Sequence, residues 1–227
     1  LQIPALDTGI QVQEEGGVAR RRFELNLQKG KTRFLRDTDT DTLGINGSYL
    51  GPTLRFKRGD VLDIQVNNRI GEESVLHWHG LHVPQRFDGG PMQSIPDQGS
   101  WNPVFDARQP AATLWYHSHA HHKTGPQVYH GLAGMMIGQH SDVMVVNGTV
   151  SPFFEARTDK IRLRILNGSN ARLFNLAFND GREFLQIGSD GGLLEQPVPL
   201  RRLIVTPGER VELLVDISDG RPVMLRS

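Results

Sequence analysis

The sequence predicts an all-β protein made of two successive Greek-key β-sandwiches, and three observations lead to this fold class. The segments between glycines and prolines are short and alternate polar with apolar residues, which is the pattern of half-buried strands. No long window carries an apolar stripe at helical spacing, so little helix is expected. The third observation is an internal repeat with an offset of about 100 residues, the size of one sandwich domain.

The alternating segments are the predicted strands. In chain order they are RRRFELNLQ from Arg20, VLDIQVNN from Val61, SVLHWHGLHV from Ser74, ATLWYHSHA from Ala112, KIRLRILN from Lys160, RLFNLAF from Arg172 and RLIVTPGERVELLVDI from Arg202. The basic run Arg20–Arg22 opens the first of them. Because charged side chains discourage pairing at the edge of a sheet, this run predicts a solvated edge strand.

The internal repeat links a segment beginning at Ile45 to one beginning at Val146. INGSYLGPTLRFKRGDVLDIQVNNR resembles VNGTVSPFFEARTDKIRLRILNGSN, and each segment has an Asn-Gly turn, then a proline, then an acidic turn residue before an alternating strand. These residues are Asn46, Pro52 and Asp60 in the first copy and Asn147, Pro152 and Asp159 in the second. We therefore predict one sandwich over residues 1–137 and a second, incomplete one over 138–227.

Composition excludes several classes of function. Lys plus Arg and Asp plus Glu both number 25, so no net field attracts nucleic acid or an anionic membrane. The longest apolar runs fall far short of the ~18 residues that a membrane-spanning helix requires. The N-terminal residues lack a signal-peptide pattern, although a removed signal peptide would leave no trace. With no cysteine, the chain has no disulfide, no thiolate nucleophile and no thiolate metal ligand.

The histidines are concentrated in one part of the chain. All nine lie between His77 and His140. His77 and His79 share one face of a predicted strand, as do His117 and His119, because alternate residues of a strand point the same way. One such pair is a weak signal, but two pairs on separate strands are a strong one. If the strands are neighbours, four imidazoles converge, and a site of neutral imidazoles suits copper, zinc, iron or nickel, with copper favoured by affinity.

The stretch LHWHGLHVPQRFDGGP, followed by QPAATLWYHSHAHHKTGPQVYHGLAG, resembles the first cupredoxin domain of the three-domain multicopper oxidases, nearest to the bacterial cuprous oxidase and laccase branch. The segments RLRILNGSNARLFNLAF, SDGGLL and PGERVELLVDI resemble the second domain of that family. The resemblance implies tandem cupredoxin-like Greek-key sandwiches.

The resemblance also implies roles for the paired histidines. His77 would bind the type 2 copper, His79 and His117 would bind one of the paired type 3 coppers, and His119 would bind the other. Together they would form half of a trinuclear cluster that reduces dioxygen to water. The type 1 copper, which needs a cysteine thiolate, and the other four cluster ligands lie in a third domain of the family. We therefore expect these 227 residues to be part of a longer chain.

Other residues near the pairs have two interpretations. Asp88 matches the acidic residue that, in the family, orients water at the type 2 copper and helps to deliver protons; taken alone it is also typical of a turn before Gly89. The spacing of His121 extends the alternation of His117 and His119 to a third imidazole on the same face. It is either a residue that orients ligands or water without binding metal itself, or a solvated loop histidine. Trp78 and Ser118 alternate with the ligands and are expected to pack inside the sandwich. Surface positions are expected for His82, His122, His130 and His140.

These observations leave three functions open. The first, which we favour, is a multicopper oxidase, either a laccase or a cuprous-ion oxidase, that couples one-electron oxidation of a phenolic substrate or cuprous ion to reduction of dioxygen to water. The second is a non-catalytic cupredoxin scaffold of the cell envelope, similar to copper-free cell-division relatives that have lost these histidines. The third is a copper-binding or storage module. A periplasmic or secreted location is expected in each case.

Overall fold

The computed structural model describes residues 5–15, 17–108, 113–134, 145–147, 149–150, 152–169 and 172–227. Its strands are Leu6–Asp7 (β1), Ile10–Glu15 (β2), Val18–Leu35 (β3), Thr38–Ile45 (β4), Thr53–Leu54 (β5), Val61–Arg69 (β6), Leu76–His79 (β7), Ser100–Trp101 (β8), Val104–Asp106 (β9), Trp115–Ser118 (β10), Ala133–Gly134 (β11), Val145–Val146 (β12), Thr149–Val150 (β13), Lys160–Leu166 (β14), Phe174–Phe178 (β15), Phe184–Ser189 (β16), Gly192–Leu200 (β17), Leu203–Val205 (β18), Arg210–Asp216 (β19) and Leu225–Arg226 (β20). The described helices are a 3-10 turn at Gln85–Phe87 and a short α-helix at Thr124–His130 (α1). The predicted all-β class is confirmed.

Residues 5–134, which we call the N-terminal part, form two main sheets around one apolar core. The larger sheet has the order β2-β3-β6-β8, with β4 also paired to β3 and β9 to β6; the smaller has the order β7-β10-β11. Alternate residues of β3 and β6 are buried between the sheets, as the sequence pattern predicts. Leu25, Val66 and Leu76 are completely buried there. The smaller sheet is thus backed by a rigid apolar layer.

Residues 152–227, the C-terminal part, have their own core. One sheet has the order β14-β19-β16-β17 and the other β18-β15-β20. The apolar cluster between them includes Phe184, Val205, Val211 and Leu213, and shares no residue with the cluster of the N-terminal part. The predicted segment from Arg202 is divided into β18 and β19 by a turn.

The internal repeat reappears as a duplicated hydrogen-bonding arrangement. Asn68, the last but one residue of β6, and Asn167, just after β14, are both completely buried. In each, the side-chain Nδ2 donates to two backbone carbonyls and Oδ1 accepts from the amide two residues later. The partners are Glu72 O (2.8 Å), Ile95 O (2.9 Å) and Ile70 N (3.2 Å) for Asn68, and Arg172 O (2.7 Å), Val205 O (2.9 Å) and Ser169 N (3.1 Å) for Asn167. The two segments therefore fold alike.

The prediction that Arg20–Arg22 form an edge strand was wrong. They lie on β3, which pairs with β2 on one side and β6 on the other. Arg20 Nη2 lies 2.7 Å from a carboxylate oxygen of Asp63, and Arg21 Nε lies 2.6 Å from one of Asp60. Because Arg20 and Arg21 each have a buried carboxylate partner and Arg22 is exposed, the basic run is tolerated on an interior strand.

The predicted boundary between residues 137 and 138 lies outside the described residues, as does His140. Within the described part of the chain, no helix has the length and apolar character to cross a bilayer.

Candidate metal centre

The smaller sheet of the N-terminal part brings the two histidine pairs together. β7 and β10 are antiparallel neighbours, with His117 opposite His77 and Trp115 opposite His79. Residues that face each other across a ladder project to the same side of the sheet. The rings of His77, His79, Trp115 and His117 therefore share one face of the sheet. The opposite face enters the core: Trp78 is 2% exposed, and its indole Nε1 donates to Phe87 O at 2.9 Å.

Three of the imidazoles offer nitrogens to a common point. One ring nitrogen from each of His77, His79 and His117 lies within 4.8 Å of the others. His79 Nδ1 and His117 Nε2 are 3.2 Å apart. Two nitrogens on one metal ion, each bonded at about 2.0–2.1 Å, stand about 3.3 Å apart in a tetrahedral arrangement. The spacing of this pair therefore suits one shared ion.

Backbone carbonyls fix the orientation of two of the rings. His77 Nδ1 lies 2.8 Å from Asp88 O, and His117 Nδ1 lies 2.7 Å from Ser118 O. A carbonyl can only accept, so each Nδ1 carries the proton and donates it. The Nε2 of each ring keeps its lone pair, which is the form that binds a metal.

Asp88 lies beside His77. It follows the 3-10 turn, and its Oδ1 is 3.4 Å from His77 Nδ1 with 36% of the side chain exposed. Gly89 makes this approach possible, because it has a φ of +74° and a Cβ there would lie 1.8 Å from Leu76 O. Only glycine lets this loop approach β7 so closely.

His119 lies at the border of the cluster, just beyond the end of β10. Its amide donates to Val75 O at 3.1 Å, and its ring centroid is 5.1 Å from that of His77 and 5.9 Å from that of His117. The ring is therefore nearer to His77 than to the ring of His117. The preceding residue, Ser118, is completely buried and bonded to the equally buried side chain of Gln127 on α1.

The environment keeps these imidazoles neutral. Burial lowers the pKa of His117 to about 3, although the Ser118 carbonyl favours the charged ring. Burial also lowers the pKa of His79 to about 4, and the positive charge of Arg210 adds to this. The pKa of His119 is lowered as well, first by burial. Near neutral pH these rings therefore have the uncharged form that metals require.

His82, His121, His122 and His130 are not among the residues with converging nitrogens. β10 ends at Ser118, so the alternation does not continue to His121. His121 is exposed in a turn, and its ring centroid is 3.9 Å from that of His122. His82 and His130 are also exposed, and His130 Nδ1 lies 3.3 Å from Asp41 O.

Residues that the sequence interpretation did not single out also shape the site. The Trp115 ring stacks on His117, with centroids 4.0 Å apart and planes at 28°, and its centroid lies 5.0 Å from that of His79. Thr113 contacts Arg210 and Glu212 of the C-terminal part. The period-two alternation could have predicted that Trp115 lies on the same face as His117, because it is two residues earlier. No local pattern could have predicted the contacts from Arg210 and Glu212, which lie on a strand far along the sequence.

Comparison with known proteins gives one family. The family model described as multicopper oxidase matches residues 26–143. A multicopper oxidase of Staphylococcus haemolyticus is 36% identical, covering 87% of this chain and 54% of that protein. The cell division protein FtsP of Escherichia coli is 35% identical, covering 88% of this chain and 52% of that protein. The chain therefore spans about half the length of these curated relatives.

Solved structures agree. A laccase from Pediococcus acidilactici superimposes with a TM-score of 0.92 at 33% identity, covering 100% of this chain and 59% of that one. A laccase-like multicopper oxidase, CueO, from an Ochrobactrum species gives a TM-score of 0.90 at 33% identity, covering 99% of this chain and 59% of that one.

Proposed function

Because this chain belongs to the multicopper oxidase family, we propose that its histidine face binds copper and contributes half of a trinuclear cluster that reduces dioxygen to water. The observation that carries the proposal is the convergence of nitrogens from His77, His79 and His117 within 4.8 Å of one another. Electrons would come from a small reducing substrate, either phenolic or cuprous ion. The activity is proposed for the whole protein to which these residues contribute.

The donor set suits copper. It consists of neutral imidazoles without thiolate, and copper has the highest affinity of the divalent first-row metals for nitrogen ligands. The 3.2 Å separation of His79 Nδ1 and His117 Nε2 supports assigning both residues to one type 3 copper. His77, held by Asp88 O, would bind the type 2 copper, and His119 the second type 3 copper. When bound, copper would supply the electron transfer to dioxygen.

Asp88 is proposed to move protons. Its carboxylate is beside His77 and partly open to solvent, so it can take protons from bulk water and deliver them to the histidine face. Its backbone carbonyl has a separate task, because it holds the His77 ring in the orientation that leaves Nε2 free. His121, exposed in its turn, is proposed to order water at the edge of this face.

FtsP relatives make the non-catalytic scaffold the main competitor, since their identity to this chain is close to that of the oxidases. The convergence of nitrogens from His77, His79 and His117, with His119 at their border, favours copper binding over a scaffold role that needs no metal. A storage module would bind copper but consume no dioxygen, so the copper and oxygen measurements together distinguish the three functions.

The experiment is a titration of the metal-free chain with copper, followed by equilibrium dialysis and measurement of the retained metal. We expect tight binding that is lost when His77, His79, His117 and His119 are all replaced by alanine, and retained in the surface control His130→Ala. Failure of the unmodified chain to retain copper would contradict the proposal. Dioxygen consumption by the whole protein with phenolic and cuprous donors then separates oxidase from storage.

We further propose that the two sandwiches divide near residues 137–138 and that the protein is periplasmic or secreted. Two separate apolar cores support the first proposal. Limited proteolysis with mass determination of the fragments tests the division, and fractionation of cells tests the location.

A further inference from the structure

The strongest unassigned feature is a set of buried charged residues through which the C-terminal part reaches the histidine strands. Arg210 and Glu212 lie two residues apart on β19, so both project from the same face of that strand. Their side chains are 6% and 5% exposed. Burying two charged side chains costs free energy unless each is fully paired. The groups that pair with Arg210 and Glu212 therefore indicate which part of the molecule these residues hold in place.

Both residues hold Thr113, which lies just before β10. Glu212 Oε1 accepts a hydrogen bond from the Thr113 hydroxyl at 2.6 Å, and Arg210 Nε donates to the Thr113 carbonyl at 3.0 Å. The side chain and the backbone of one residue are thus fixed from across the molecule. Thr113 is itself 4% exposed, so water does not compete for these bonds.

Arg210 also touches the end of the other histidine strand. A Cβ at Gly80, the residue after His79, would lie 2.8 Å from Arg210 Nη2. The same added atom would lie 2.9 Å from Leu114, so the guanidinium packs where β7 ends and β10 begins. In this register His79 faces Trp115, whose ring stacks on His117. The guanidinium therefore packs beside Gly80 and Leu114, the residues next to His79 and Trp115 on the two paired strands.

The two charged residues are themselves firmly held. Arg210 Nη1 lies 2.9 Å from Asp190 Oδ1, and its Nη2 donates to the Asp190 carbonyl at 3.0 Å. Arg162 Nε donates to Glu212 Oε2 at 2.7 Å. Burial raises the pKa of Glu212, but the hydrogen bonds from Thr113 and Arg162 outweigh this effect and keep it low, so the carboxylate is charged. These contacts make the β19 face a rigid support.

We propose that Arg210 and Glu212 are positioning residues that set the geometry of the His79–His117 nitrogen pair through Thr113 and Gly80. The inference rests on the proposed copper site. In it, the N-terminal part supplies the metal ligands, and the C-terminal part fixes the distance between two of them. Residues that orient metal ligands typically change metal affinity by about 10–100-fold when replaced.

The test uses the full 227-residue chain with the variants Arg210→Lys, Thr113→Val and Thr113→Ser. Arg182→Lys is the matched control, because Arg182 is likewise paired with carboxylates, those of Asp180 and Asp219, and donates to a backbone carbonyl, but near the opposite end of β19. Cuprous-ion affinity is measured by competition with a chelator, the cupric spectrum by electron paramagnetic resonance, and hydrogen exchange of the 113–119 amides on the metal-free chain. Thr113→Ser keeps the hydroxyl and so serves as the rescue.

We expect Arg210→Lys and Thr113→Val each to weaken copper binding about tenfold or more and to alter the cupric spectrum, while Thr113→Ser and Arg182→Lys resemble the unmodified chain. If Arg210→Lys does not fold, the comparison of Thr113→Val with Thr113→Ser tests the inference by itself. Unchanged affinity and spectrum in the variants, with copper bound by the unmodified chain, would overturn the inference and leave the proposed function standing. If the unmodified chain binds no copper, the proposed function fails. The inference is then judged on faster exchange at residues 113–119 in Arg210→Lys and Thr113→Val, and equal exchange in all variants overturns it.

Discussion

The two parts of the molecule share an architecture and differ in what one face of it carries. Each has two sheets around an apolar core and a completely buried asparagine, Asn68 or Asn167, that bonds the backbone in the same way. The chain has no histidine beyond His140, whereas β7 and β10 of the N-terminal part bring three imidazoles together. The C-terminal part shows that this fold forms without imidazoles, so the histidines are explained by chemistry rather than by stability.

The largest expected effect is the loss of copper from the N-terminal face. If His79 and His117 share one ion, His79→Ala and His117→Ala should each abolish binding of the same copper equivalent, and the double variant should lose no more than either single one. Copper per chain, measured after dialysis, gives the result. Additive losses would show that the two residues hold different ions.

The buried asparagines test the similarity of the two parts. Asn68→Ala and Asn167→Ala each remove the side-chain bonds to two carbonyls and an amide. Ile95 O keeps the bond from Ser74 N, and Arg172 O keeps the bond from the Ser169 hydroxyl, so each variant leaves one carbonyl and one amide without the bond that the asparagine gave. An unsatisfied buried group costs about 1–3 kcal/mol. Each variant should therefore unfold with about 3 kcal/mol less stability, measured by urea titration. A large effect at one position with almost none at the other would contradict the duplicated arrangement.

A third prediction concerns pH and belongs to the N-terminal part alone. The pKa of His79 is lowered to about 4 and that of His117 to about 3, in both cases chiefly by burial. In the unfolded chain these imidazoles are protonated near pH 6.5, whereas in the folded chain they stay neutral to about pH 4 or below. Between about pH 6.5 and 4 the unfolded state therefore holds more protons, so the free energy of unfolding decreases as the pH falls.

The metal-free chain should lose up to about 1.4 kcal/mol per pH unit for each of these two groups, and little of this loss occurs above pH 7. Urea unfolding at several pH values measures the slope. His117→Phe should reduce it, and an unchanged slope in that variant would assign the pH dependence to other groups.

The smallest effect on binding and folding is expected at Asp88. Asp88→Asn keeps the backbone carbonyl that holds His77, so copper loading should be unchanged and stability should shift by no more than about 0.5 kcal/mol. Turnover of the whole protein should nonetheless fall by about 100-fold, because the amide cannot relay protons. Equal turnover would leave Asp88 with only its backbone role.

The fold class and the family followed from local patterns, and both are confirmed. Period-two alternation survives in β3, β6 and β14 because one face of each packs on an apolar core. The spacing of His77 and His79, together with a second pair, was enough to predict a common face. The ligand roles and the position of the domain boundary remain predictions.

Other features depended on contacts between distant residues and left no local signal. Arg20 and Arg21 were predicted to lie at an edge because their carboxylate partners, Asp63 on β6 and Asp60 just before it, are about 40 positions away in the sequence. The support that Arg210 gives to Thr113 crosses 97 positions. Strand ends are equally hidden: β10 stops at Ser118 as the chain turns, so His121 does not continue the face that its spacing suggested.

The pairing of His117 with His77 has a practical consequence for making the protein. Successive strand residues point in opposite directions, so a slip of β10 by a single position would turn His117 into the apolar layer and bring Tyr116 to the surface of the site. Such a chain would have nearly the same circular dichroism spectrum as the correct one. Retention on an immobilised-copper column would separate the two, which makes metal capture a measure of correct strand alignment in a refolded or engineered preparation.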